Sequence, residues 1–299
     1  MRSFLASLAV FTACLEIQAN EHNKASFSGE KALNHIATQI SFGPRIEENP
    51  SAKEATVNFI TSLLEPAATR ITVQSFTSMG LSGDNIWATF SGPREKPSRQ
   101  RVMLGAHWDT RPISDHDPQS DKRTIPVTGA NDGGSGVAVL LELGRLFSLK
   151  PPPITVDLVF FDLEDMGNIK DYPFSLGAEA FVARNRFYRP SKGIVVDMVC
   201  DKNLSIPREL YSKTQASEVM DEVWEIAEKL EAKAFLPRDG AYIIDDHLPF
   251  LKAGIPVIDL IHYPFPDYWH TTGDTLDKCS SESLQQIGDV IAALIYSIK

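Results

Sequence analysis

Four short apolar segments of this chain run, directly or through a loop, into acids and imidazoles. Val102 to Ala106 leads into His107-Trp108-Asp109, and Ile154 to Phe161 into Asp162-Leu163-Glu164-Asp165. Ile194 to Val196 meets Asp197, and Pro256 to Ile261 leads through a loop to His270. Segments of this length, rich in β-branched and aromatic residues, read as buried strands. Helical patterns separate them. Gly133 to Phe147 is one, and Leu284, Ile287, Ile291, Leu294, Ile295 and Ile298 form the apolar stripe of a closing helix. Strands alternating with helices specify an α/β fold, a three-layer sandwich with a mixed, largely parallel central sheet flanked by helices. In open sheets of that kind, ligands gather beyond the carboxyl ends of the strands. That is where these polar residues fall.

The rest of the chain fits one domain. Ser28 to Phe42 reads as a helix stopped by Gly43-Pro44, Ser51 to Leu64 as a second helix, and Arg70 to Phe76 and Asn85 to Phe90 as strands. With no repeat, low-complexity tract or linker, residues 20–299 are expected to form a single catalytic domain. Arg2, the apolar run Phe4 to Cys14 and the small Ala19 describe a secretory signal over residues 1–19. The expected location is therefore outside the cytoplasm, periplasmic or secreted. Lipid anchoring at Cys14 ranks second, because Phe11 stands where such sites usually hold Leu. No apolar run approaches the ~20 residues that cross a bilayer. With 29 basic and 39 acidic residues the net charge is −10, which gives no general attraction to nucleic acid. Cys200 and Cys279 could form one bridge, but their scarcity favours two isolated buried thiols.

The chemistry concentrates in a few groups. Adjacent carboxylates such as Glu164 and Asp165 at the edge of a core repel unless a cation or proton sits between them. His107, Asp132, Asp165, Asp197 and His270 together offer nitrogen and oxygen donors that suit zinc. The set contains no cysteine and its spacings are long, which fits a catalytic site assembled from strand ends. Glu164, left over beside the metal, is a natural general base or proton shuttle. Asp109 is placed to orient His107 or a loop. The glycines of Gly129-Ala130-Asn131-Asp132-Gly133-Gly134-Ser135-Gly136 lack the Lys and spacing of a phosphate loop. They read as a tight turn that brings a helix start close to the metal. Trp269, beside His270, is expected to line the pocket and Phe265 to pack in the core. The polar stretch from Ser114 to Arg123 is a candidate cover.

Three strings, Gly105-Ala106-His107-Trp108-Asp109, Gly129 to Gly136, and Phe160-Phe161-Asp162-Leu163-Glu164-Asp165, resemble the zinc aminopeptidase superfamily. Asp245-Asp246-His247 and Trp269-His270-Thr271 resemble its branch of glutaminyl-peptide cyclotransferases, of the animal type found in bacteria. The resemblance runs from about Gly29 to the C-terminus. It implies one zinc held by Asp132, Asp165 and His270, with Glu164 transferring protons. It also implies Asp197 and Asp245 in an adjoining hydrogen-bonded network, and Trp269 as a wall. The implied substrates are peptides or proteins with N-terminal glutamine, converted to pyroglutamate with release of ammonia. Asp165 departs from the family, which often has Glu there, and no counterpart of the animal enzymes' disulfide stands at matching positions. The alternative is a two-metal aminopeptidase, in which His107 and Asp197 help hold a second zinc and Glu164 activates water. Trp269 before His270, and Asp245 opening the Asp-Asp-His string, argue against it. A catalytically silent binding protein would have no need of Glu164.

Overall fold

The computed structural model describes residues 25–92 and 100–298. The leader expected over residues 1–19, with Cys14, lies outside them. Helix α1 (Gly29–Ser41) starts at Ser28, whose hydroxyl accepts from Lys31 N at 3.3 Å, and stops just before Gly43 at φ 95°. Helix α2 (Pro50–Leu64) is capped by Asn49 and has proline in its first turn, where a missing N–H costs nothing. A hairpin follows, β1 (Arg70–Ser78) and β2 (Leu81–Phe90), joined through Met79 and Gly80, both at positive φ. The second strand starts earlier than Asn85, because Leu81 to Asp84 pair with Ser78 to Ser75 despite their polar, glycine-containing sequence.

The alternating units then build the sheet: β3 (Arg101–His107), α3 (Gly134–Leu149), β4 (Thr155–Phe161), α4 (Leu176–Arg184) and β5 (Lys192–Asp197). A smaller lobe holds β6 (Ile206–Arg208), α5 (Leu210–Gln215), α6 (Ser217–Lys229) and β7 (Phe235–Asp239). The chain closes with α7 (His247–Lys252), β8 (Val257–Ile261) and α8 (Ser281–Ser297). The main sheet has the order β1-β2-β4-β3-β5-β8. It is parallel across β4, β3, β5 and β8, and antiparallel where β2 meets β1 and β4. The parallel pair β6 and β7 forms a separate small sheet, too short to leave a periodic signal in the sequence.

Side-chain alternation explains the layers. Val102, Leu104 and Ala106, with Val156, Leu158 and Phe160, pack toward α1, α2, α3, α6 and α8. Met103, Val159, Phe161 and Val195 point the other way, against Phe181 of α4 and Phe250 of α7. The result is a three-layer α/β sandwich with an apolar sheet covered on both faces. The buried cysteines are not isolated thiols. Cys200 and Cys279 form a disulfide, with Cα atoms 4.5 Å apart across 79 residues of sequence. Asp201 bridges Cys279 in an antiparallel pair, and Ser280 N donates to Cys200 O at 2.7 Å, so backbone pairing brings the two sulfurs together.

Candidate active site

The carboxyl ends of β3, β4 and β5 deliver His107, the turn after Phe161, and Asp197 to one rim. Asp132 arrives from the turn before α3, and Gly133 makes that approach possible. Its φ is 84°, and a Cβ there would sit 2.4 Å from Asp109 O and 3.2 Å from the His107 ring. Only glycine lets this turn lie so close. His270 comes from the loop after β8, itself at φ 55°, a left-handed backbone that costs about 1–3 kcal/mol and that the surrounding structure must hold.

Asp132 stands at the centre. Its Oδ1 lies 3.2 Å from His107 Nε2, and its Oδ2 lies 3.5 Å from His270 Nε2. His270 Nε2 is also 3.2 Å from Asp165 Oδ1, and His107 Nε2 is 3.0 Å from Asp197 Oδ1. Two donor groups result, Asp132-Asp165-His270 and His107-Asp132-Asp197, each with its donor atoms within 4.8 Å of one another. All five residues are buried. Ligands bound tetrahedrally to zinc at 2.0–2.2 Å are separated by roughly 3.3–3.6 Å. The spacings around His270 Nε2 match that, and Asp165 Oδ2 is buried without a hydrogen-bond partner among the described residues. Two carboxylates and an imidazole so arranged fit a zinc ion.

Backbone amides and charges from distant parts of the chain fix these donors. Asp109 accepts from Glu164 N and Asp165 N, both at 3.1 Å, and stands 3.5 Å from His107 Nδ1. It therefore orients the ring and the loop at once. Asp274 does the same for Asp132, accepting from Asn131 N at 2.8 Å and Asp132 N at 3.0 Å. Arg111 donates to Asp165 Oδ1 at 3.1 Å and to the carbonyls of Asp165 and Gly167, while it forks onto Asp115. Arg45, wholly buried, binds the carbonyls of Trp108, Thr128 and Gly129 behind the Asp132 turn. Sequence reasoning missed Asp274, Arg111 and Arg45. The Thr272-Gly273-Asp274 turn just after His270 carries a weak cue for the first; the arginines carry none.

These groups face a cavity of about 330 Å³, lined by Asp132, Glu164, Asp165, Asp197, Asp245, Trp269 and His270. Larger grooves of about 720 and 680 Å³ elsewhere contain none of them. Trp269 stacks on His270 at 3.8 Å and on Phe265 at 4.2 Å between ring centroids. Phe265 is thus not simply core: half-buried against the small cluster of Met198, Ile243 and Ile261, it also lines the cavity. The polar stretch after Ser114 packs on the same turn, with His116 N donating to His270 O and Asp117 accepting from Thr272. Asp245 Oδ2 is buried without a hydrogen-bond partner among the described residues. His247 lies behind the cavity, with Nε2 3.2 Å from Glu209 Oε2.

Charge crowding sets the acidities. Burial, reinforced by Asp245, Asp246 and Asp165, pushes the Glu164 carboxyl well above the ordinary carboxylate range despite the opposing His107. Burial, with Asp132 and Asp245, pushes Asp197 up to about 7 against the pull of His107. Asp132 goes the other way: burial would raise it, but the hydrogen bond and charge of His107, with His270 and Arg111, hold it low. Burial and the charge of Asp132 also raise Asp165, against the pull of His270 and Arg111, so carboxyls held low and carboxyls pushed up stand a few ångströms apart.

An open α/β sheet with buried carboxylates and imidazoles at its strand ends defines a metal-centre scaffold of the exopeptidase kind. The profile of peptidase family M28 matches residues 85–295, and the chain belongs to that family. A Zn-dependent exopeptidase from Parabacteroides distasonis superimposes with a TM-score of 0.84 at 34% identity, over 91% of this chain and 99% of that one. The glutaminyl cyclase of Bacteroides thetaiotaomicron, solved with N-acetylhistamine, gives 0.84 at 32% identity, over 92% and 99%. Bovine glutaminyl-peptide cyclotransferase is 25% identical over 251 residues, 72% of this chain and 68% of that protein. Against another curated relative, an aminopeptidase, the match spans 40% of the relative's length. Within the superfamily of zinc aminopeptidases, the chain groups with the glutaminyl cyclases.

Proposed function

We propose that this protein is a zinc-dependent glutaminyl-peptide cyclotransferase acting on peptides or proteins with N-terminal glutamine. The observation that carries the reading is the set of three carboxyls, Glu164, Asp197 and Asp245, facing one small cavity. Asp132, Asp165 and His270 lie at its base, and the Trp269 indole forms its wall. Zinc, when bound, would supply Lewis acidity toward the substrate's γ-carbonyl. Asp132, Asp165 and His270 would hold it, braced by Asp109, Asp274 and Arg111. The substrate's α-amine attacks its own side-chain carbonyl carbon. A C–N bond forms, the amide C–N bond breaks, and ammonia leaves. Glu164, made a stronger base by burial and by the neighbouring carboxylates Asp245, Asp246 and Asp165, takes a proton from the amine and returns it to the departing nitrogen. Asp197 and Asp245 accept from the amine and orient it, while Trp269 excludes water. Holding nucleophile and electrophile in one folded side chain contributes several kcal/mol, about 7–11 in the best intramolecular cases. The leader pattern of residues 1–19 supports an exported enzyme.

The second donor group, His107, Asp132 and Asp197, favours one rival reading, a two-zinc aminopeptidase in which Glu164 activates water. Purified protein should bind one zinc, release ammonia from Gln-initiated peptides, and leave Leu-initiated peptides intact. Two metals per chain with cleavage of the Leu peptide would overturn the cyclase in favour of the peptidase. His270→Ala should lose zinc and turnover together; surviving turnover would refute the ligand assignment.

A further inference from the structure

The catalytic cavity occupies the carboxyl end of the parallel strands. The amino end carries a contrasting surface. A groove of about 680 Å³ there is lined by Arg70, Arg101, Arg184, Arg186 and Arg189, with no acid among the described residues that line it. Arg101 is neutralised by the buried Asp157. The other four donate only to neutral oxygens: Arg70 to Thr72 Oγ1, Arg184 to Ser75 O, Arg186 to Ala183 O and Arg189 to Tyr188 O. None of the four has a carboxylate within 4 Å among the described residues. In a chain of net charge −10 this is a local inversion of sign. Beside these guanidiniums Phe187 projects with 98% of its surface exposed, in the loop that follows α4.

We propose that this face docks on an anionic phospholipid surface. Guanidinium groups match phosphate oxygens in a bidentate fork, and they cost less to desolvate than ammonium groups. A lone exposed aromatic is common on soluble proteins, but a fully exposed one within an arginine cluster matches the pattern of interfacial anchors. Phe187 enters the headgroup layer while Arg184, Arg186 and Arg189 meet the phosphates. A soluble phosphate compound would use the arginines and leave Phe187 without a role. The orientation is also favourable. Arg101 opens β3 and His107 closes it six residues on, roughly 20 Å along the strand, so a docked molecule turns its cavity away from the lipid.

Vesicle co-flotation at low salt tests this. The protein should float with phosphatidylglycerol–phosphatidylcholine vesicles, stay in solution with pure phosphatidylcholine, and be released by high salt. Combining Arg184→Gln, Arg186→Gln and Arg189→Gln should weaken binding on the order of a hundredfold, about fivefold per charge. Phe187→Ser should weaken it about tenfold at unchanged charge. Circular dichroism and metal content should stay unchanged in both variants, and these readouts do not depend on which reaction the active site performs. Equal flotation with neutral vesicles, or unchanged binding of the arginine variant, overturns the proposal. So does capture of inorganic polyphosphate without flotation, which assigns a soluble phosphate ligand instead.

Discussion

Val156, Leu158 and Phe160 of β4 are completely buried, and Glu164 and Asp165, three and four residues past the strand's end, are buried as well. The two neighbourhoods share a backbone but are stabilised differently. The strand interior needs only apolar neighbours on each face, and the pattern that supplies them is local. The rim buries charge, which costs several kcal/mol per ion unless donors are aimed at it. Here the donors are the Glu164 and Asp165 amides on Asp109, the Asn131 and Asp132 amides on Asp274, and Arg111 on Asp165. Core substitutions should therefore cost stability with little change in chemistry, and rim substitutions the reverse.

The largest expected effect is at the rim. Glu164→Gln should lower kcat by about 10²–10⁴ while zinc content and the urea midpoint hold. Turnover near wild type would remove Glu164 from the chemistry. Leu158→Ala is the mirror experiment: about 2–5 kcal/mol lost in urea unfolding, with turnover per folded molecule unchanged. A comparable fall in kcat would show that rim and core are not separable. Gly133→Ala tests the boundary between them. Its Cβ has no room beside Asp109 O, so stability should fall by roughly 1–3 kcal/mol and zinc affinity fall with it, as isothermal titration would register.

The smallest effect sharpens the contrast from outside the rim. Burial, with the charges of Arg145 and Lys31, pushes His35 on α1 down to about 4. The folded state then holds that proton less tightly than the unfolded chain. The stabilisation is present above about pH 6.5 and is lost as pH falls toward 4, at most about 3 kcal/mol. His35→Gln should flatten that part of the stability profile. Parallel profiles for the two proteins would contradict the assignment.

Much of this was legible in the residues. Asp132 is readable only from the glycine turn before α3, whereas His107, Asp165, Asp197 and His270 are readable because strand periodicity and the polar residue that follows it lie within ten residues of each other. Asp109 was readable as an orienting group for the same reason. Asp274 and Arg111 were not, since their partners lie 142 and 54 residues away. The pairing of Cys200 with Cys279 is not legible either, because scarcity of cysteine says nothing about two segments that the fold brings side by side. Phe265 serves a core and a cavity at once, and an aromatic residue in a sequence does not distinguish the two.

By itself the sequence determined the sandwich, the edge of the sheet where chemistry gathers, and the residue types offered there, all through short-range patterns of burial and chain reversal. Only the tertiary structure decided how the donors group around Asp132, which carboxyls are held low and which are raised, and that Cys200 joins Cys279. Those outcomes depend on distances between segments far apart in the chain and on the loss of water around them, and neither quantity exists before the strands are assembled.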